Sequence, residues 1–183
     1  ASAQATVDLL QARGINRIVA LTHIGNARDL ALAAKVNGLD AIVGGHSHSL
    51  LGDFSNVGWG KTGEYAALVT NTDGVGLTCV VQAGSYAQAI GLARVSFDAQ
   101  GRVIACKGQN QLLASRDFFA DPARQQRLDK TRSQQAGKFI DAQPNLVTSY
   151  EHPRLRGIID SHYKLALEQA YGHIARHPAT GSP

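Results

Sequence analysis

At 183 residues, 44% of them apolar, the chain is long enough for one folded domain with an appended arm. Eighteen Lys and Arg against fourteen Asp and Glu leave a formal charge of +4, and the basic residues are scattered or lie in the polar C-terminal third. The absence of a basic stripe with interleaved aromatics argues against nucleic acid as a partner, and no apolar run approaches transmembrane length.

Ala3, Val7 and Leu10 recur at helical spacing behind a capping Ser2, so residues 3–13 read as a helix that Gly14 ends. No basic-then-apolar leader precedes it, which sets the expectation that any signal peptide is already gone or never existed. Residues 17–22 form an apolar run, a strand that delivers His23 just ahead of Gly25. Leu30, Ala33, Ala34 and Val36 give an apolar side to a helix over 28–37, with Asn37-Gly38 as its stop. A strand at 40–43 follows, and the β-α-β order favours parallel pairing with the helix on one face.

That strand runs into Gly44-Gly45-His46-Ser47-His48. In extended backbone, positions i and i+2 share a side, so His46 and His48 are expected to aim into one pocket. The two glycines let the backbone turn sharply and come close to whatever sits there. Imidazole is the commonest protein metal ligand, and ligands in α/β sheets bind outside the carboxyl ends of strands. A single strand-end histidine is more often structural or solvated. Two such strand ends, one carrying His-x-His, favour a metal site of His23, His46 and His48.

Residues 49–66, rich in Gly and Ser and holding the single Trp59, read as a long loop: a rim, or a contact to a missing domain. Short apolar runs at 67–70, 77–82, 90–97 and 103–109, broken by Asn71-Thr72-Asp73-Gly74 and Asp98-Ala99-Gln100-Gly101, predict a mostly antiparallel meander that pairs onto or stacks on the first sheet. Cys79 and Cys106 each fall in such a run, and spacing alone leaves open a cross-strand disulfide or two buried thiols. Beyond Leu113 apolar density falls. A polar helix is predicted from Asp121-Pro122 to about Lys138 and a second from about Pro153 to Ile174. His152, His162, His173 and His177 lie in this arm and share no rigid strand end, so they do not read as metal ligands. Residues 180–183 are expected to be disordered.

Thr22-His23-Ile24-Gly25, a helix, and then Asp40 through Leu51 resemble the second half of the catalytic domain of 5′-nucleotidases, within the calcineurin-like metallophosphoesterases. The resemblance continues through Val69-Thr70-Asn71, Val80-Val81-Gln82-Ala83 and Gly91 to Phe97, covering residues 1–113 well and the rest loosely. It implies an α/β fold, a partial calcineurin-like sandwich of two β-sheets flanked by helices over 1–113. Residues 114–183 would form a helical arm whose last helix resembles the connector to a separate nucleotide-binding domain. It also implies two divalent ions, zinc or manganese, with His23 and His46 on one and His48 on the other. The implied reaction is hydrolysis of phosphate monoesters of nucleotides by a metal-activated hydroxide, in nucleotide catabolism.

The family's Asp-x-His, its bridging Gly-Asp and its Asn-His motif do not occur upstream of His23. Gly52-Asp53 and Asp160-Ser161-His162 match letters by chance, and the nearest acids, Asp29, Asp40 and Asp53, match no family ligand. No catalytic residue is identified in this chain. It is expected to lack the family's N-terminal half and its nucleotide-binding domain, to hold at most one metal weakly and to hydrolyse little alone. The other reading is a non-catalytic binding or interaction module that keeps the fold and a residual metal site. The resemblance further implies a periplasmic or secreted location, and with it a Cys79–Cys106 disulfide.

Overall fold

A computed structural model describes residues 2–164 together with Ala166 and Gln169. The chain divides into two units, one ending at Leu113 and the other beginning at Ala114. In the first, α1 (Ala3–Ala12) starts where Ser2 Oγ accepts the Ala5 N–H at 3.3 Å. β1 (Val19–Leu21), α2 (Asn26–Lys35) and β2 (Ala41–Val43) form the β-α-β unit that the sequence predicts, with β1 parallel to β2 in the register Val19↔Ala41 to Leu21↔Val43.

Residues 49–66 are not one long loop, as their glycines and serines suggested. β3 (Gly52–Phe54) and β4 (Gly60–Thr62) pair antiparallel around a turn of 3-10 helix at Ser55–Val57. Leu51 and Phe54, 2% and 1% exposed, anchor this hairpin, and burial of two large apolar side chains outweighs the low strand preference of glycine.

The expected meander is also only half realised. β5 (Ala67–Thr70) and β6 (Leu77–Val81) are antiparallel, but β6 also runs parallel to β2, with Ala41↔Cys79 and Val43↔Val81, giving the sheet order β1-β2-β6-β5. β6 is buried on both faces, which is why its sequence does not alternate apolar with exposed polar residues; its one polar side chain, Thr78, is buried and donates to Leu39 O at 2.7 Å. On one face Ala20, Ile42 and Val80 pack with Val7, Ile18, Ala33, Val36 and Leu39 from the helical side. On the other, Ala41, Cys79 and Val81 are covered by Tyr65, Ala66, Val95 and Cys106. Val95 and Cys106 belong to the antiparallel ribbon of β7 (Ala89–Phe97) and β8 (Val103–Ala114), and a Cys79–Cys106 disulfide ties β6 to β8.

The ribbon leaves part of that face open. Among the described residues β1 is an edge strand, paired only with β2, and its Val19 and Leu21 are 58% and 83% exposed. At the amino edge of the sheet, Asp40 Oδ2 accepts the Ile18 N–H at 2.6 Å. Burial holds the Asp40 carboxyl above its usual range, against the pull of that N–H and of Arg17.

In the second unit the helix predicted from Asp121 begins later. α3 (Lys130–Asp141) is capped by Asp129, which accepts the Arg132 N–H at 2.9 Å. Ahead of it the Asp121 carboxylate accepts the Gln125 and Gln126 N–H groups and holds a turn, with Arg124 at φ 56°. Arg124 and Arg127 both stack on the Phe119 ring, at 4.9 and 5.2 Å. β9 (Leu146–Thr148) follows, then α4 (Pro153–Ile158) and a wider π-helical turn over Ile159–Lys164. Most of the predicted helix beyond that point, with His173, His177 and residues 180–183, lies outside the described residues. Among the described residues no helix is long and apolar enough to cross a membrane.

The disulfide closes a loop with a sequence separation of 27, so its removal should lower stability by about 3–4 kcal/mol through the freedom regained by the unfolded chain. Denaturant unfolding of Cys79→Ala/Cys106→Ala checks the loss, and thiol titration of the denatured, unreduced protein should find no free thiol. Two titratable thiols, or a loss below about 1 kcal/mol, would contradict this account.

Candidate functional site

Three parallel strands finish side by side. Leu21 of β1, Val43 of β2 and Val81 of β6 are in register, and the ladder carries on as the Thr22 N–H donates to Val43 O and the Gly44 N–H to Val81 O. The residues that follow the three strands, His23, the 44–49 turn and Gln82, therefore meet on one carboxyl edge. α2 also starts there, from Gly25 at φ 93°.

The rings of His23 and His46 stand edge to face with centroids 5.1 Å apart, and both residues are exposed. Glycine makes this approach possible: a Cβ on Gly45 would press on His23 Nδ1 at 3.2 Å. His48 goes elsewhere. Its ring meets Tyr86 at 5.4 Å, beside a pocket of about 150 Å³ lined by Leu50, Trp59 and Leu112. The expected convergence of three imidazoles is not formed. Among the described residues no group of three or more His, Cys, Asp or Glu side chains is placed to hold a metal.

The reason lies in the backbone. The same-side rule assumed an extended segment, but β2 stops at Val43, and His46 and His48 sit in the left-handed region at φ 77° and 54°. Gln82, 2% exposed, holds the turn in that shape. Its Nε2 donates to Gly45 O at 2.9 Å, while its Oε1 accepts from Ser47 Oγ at 2.9 Å and from the Ser49 N–H at 2.5 Å. Ser47 Oγ in turn accepts the Asn26 N–H at 3.0 Å and so joins the turn to the start of α2.

Asp29, which matched no family ligand, is fully buried behind the histidines. Its Oδ1 accepts from Thr22 Oγ1 at 2.7 Å, and its Oδ2 has no partner among the described residues. That oxygen faces Gly44, where any Cβ would collide with it. Sequence reading passed over Gln82 and the supporting role of Asp29. The signal for Gln82 was a lone amide directly after the apolar run of β6, a place where a polar side chain survives burial only if the surrounding backbone satisfies it.

No protein-family model matches the chain. The human 5′-nucleotidase is 34% identical over 147 residues, covering 75% of this chain and 25% of that protein. The trifunctional nucleotide phosphoesterase protein YfkN of Bacillus subtilis is 36% identical over 135 residues, covering 73% of this chain and 8% of that one. The chain thus spans a quarter or less of the length of these relatives. Among solved structures, the 5′-nucleotidase precursor from Thermus thermophilus superposes with a TM-score of 0.57 at 36% identity, over 76% of this chain and 26% of that one. The NAD nucleotidase of Haemophilus influenzae superposes with a TM-score of 0.77 over 91% of this chain and 34% of that one; at 23% identity it shows a shared fold.

Gln82→Ala would leave the Gly45 carbonyl and the Ser49 N–H without their partner. The two groups are partly buried, so we expect a stability loss of about 1–2 kcal/mol, toward the lower end of the range for unsatisfied polar groups, and faster amide exchange confined to residues 45–49. A loss below about 1 kcal/mol in denaturant unfolding, or unchanged exchange in the turn, would show that something else holds it.

Proposed function

Because the chain belongs to the 5′-nucleotidase family, we propose that it forms one wall of a metal-dependent phosphoesterase site that acts on phosphate monoesters of nucleotides. The supporting observation is the His23–His46 ring pair on the carboxyl edge of a parallel ladder. Two exposed imidazoles on strand ends suit zinc or manganese better than calcium, which prefers oxygen ligands. In this reading His23 and His46 hold one ion, and His48, whose ring here faces Tyr86, would hold the second only after turning from that contact. Divalent ions at that edge would supply the Lewis acidity and activated water that phosphate-ester hydrolysis needs.

The chain's own residues orient the ligands. Gln82 and Ser47 fix the backbone from which His46 projects, Gly45 makes room for His23, and Asp29 anchors Thr22, the residue before His23. Two imidazoles are fewer than the three protein ligands of catalytic zinc sites, so in this reading the chain alone binds metal weakly and hydrolyses little. The remaining ligands, including a carboxylate to offset two close cations, come from a segment that pairs with the open edge of β1. The 83% exposure of Leu21 supports that placement, since a strand laid there would cover it and end beside His23. A periplasmic or extracellular location fits the disulfide, and a relative at 36% identity is a snake venom 5′-nucleotidase. The competing reading, a binding module that keeps the fold without catalysis, is favoured by the missing third ligand among the described residues.

Zinc titration calorimetry separates these residues. His23→Ala and His46→Ala should each weaken binding by more than the roughly 10–100-fold typical of losing an outer-shell partner. His162→Ala, in the exposed turn after α4, should change nothing. Parent-like binding by His46→Ala would end the metal reading and leave the family assignment as a statement about ancestry and fold.

A further inference from the structure

The opposite end of the same sheet carries a second concavity. A cleft of about 510 Å³ lies at the amino edge of β1, β2 and β6, at the other end of these short strands from the histidines. It draws Gln11 from α1, Asn16 from the loop before β1, Asp40 from just before β2, Asp73 from the β5–β6 turn and Gln100 from the β7–β8 turn. Its volume falls within the roughly 300–1,000 Å³ of small-molecule sites, but its lining is far more polar than theirs usually is.

The polar groups are unevenly committed. Asp40 takes the Ile18 N–H through Oδ2, and Asp73 takes the Val75 and Gly76 N–H groups through Oδ1. In each case the second carboxylate oxygen has no donor among the described residues. The side-chain amides of Gln11, Asn16 and Gln100 make no hydrogen bond to any described residue. Fixed carboxylate acceptors thus share one cleft with free amide donors and acceptors.

Charge and geometry narrow what can enter. Three carboxylates, Asp8, Asp40 and Asp73, line the cleft against one lining cation, Arg102, which is already paired with Asp98 at 2.8 Å, and Arg17 acts on Asp40 from nearby, so the balance of charge disfavours an anion such as phosphate. A bare metal ion is disfavoured, because no three carboxylates or histidines among the described residues are placed to hold one. An ammonium would use the carboxylates and leave the amide N–H groups idle. A ring bearing several hydroxyls satisfies both kinds of group. Val75, 65% exposed beside Leu77 at the cleft, offers an apolar surface to the C–H face of such a ring.

We propose that this cleft binds a neutral sugar ring, a pentose or hexose, whose hydroxyls donate to Asp40 and Asp73 and accept from Gln11, Asn16 and Gln100. The site is independent of the phosphoesterase reading: it uses none of the histidines, and its charge disfavours the phosphate on which that reading depends.

The test is a titration of the full 183-residue chain with D-ribose and D-glucose, followed by amide chemical shifts, with inorganic phosphate as the anion control. Saturable shifts with at least one sugar are expected at residues 37–40, 73–76 and 100–102, with none at His23 or His46 and none with phosphate. The double variant Gln11→Ala/Asn16→Ala should weaken the sugar at least about tenfold, and Gln100→Ala should also weaken it. Gln11, Asn16 and Gln100 are exposed, so these changes leave the core intact, which circular dichroism checks. Failure of both sugars to saturate, the same shifts with phosphate, or parent-like affinity in both variants would overturn the proposal.

Discussion

Burial of β6 on both faces is the constraint on which the first unit depends. Cys79, Val80 and Val81 are 1%, 0% and 7% exposed, and full burial of an aliphatic side chain contributes about 1.5–3 kcal/mol. Val80 belongs to the helix-side core, whereas Cys79 and Val81 belong to the core under the β7–β8 ribbon. A strand serving two cores cannot sit at an edge, so β6 takes its place between β2 and β5. The disulfide then secures the ribbon to that same strand.

The position of β6 also decides the candidate site. Parallel pairing with β2 brings Gln82 beside the 44–49 turn, and the Gln82 amide supplies the hydrogen bonds that a turn with two left-handed histidines needs. Non-glycine residues in that region cost of order 1 kcal/mol or more each and persist where the surroundings over-determine them. Here a buried amide, a serine bridge to α2 and two glycines together hold His46 against His23. The histidines are exposed and the groups that position them are buried, which suits a site that must meet a ligand without collapsing.

The two ends of the sheet differ in chemistry because they differ in construction. At the carboxyl end the parallel strands release short, glycine-rich turns, and imidazoles crowd the opening. At the amino end the connections arrive from α1, α2 and two hairpin turns, whose Asn, Asp and Gln residues are those that turn geometry favours. The same preference that shapes the turns therefore lines the second cleft with amides and carboxylates.

The sequence by itself determined the β-α-β unit, the strand ends that carry His23 and His46, and the kinship to 5′-nucleotidases, because each rests on local periodicity or on a short run of residues. It misjudged the 49–66 segment, where burial of Leu51 and Phe54 overrides glycine content. It also started α3 too early, since Asp121 could cap a helix or a turn and the Phe119–arginine stacking favoured the turn. Only the tertiary structure decided that β6 lies between β2 and β5, that Gln82 shapes the histidine turn and that His48 faces Tyr86. Those outcomes depend on which strand buries both faces and which carbonyl an amide 37 residues away can reach. Neither is encoded in any local stretch of the chain.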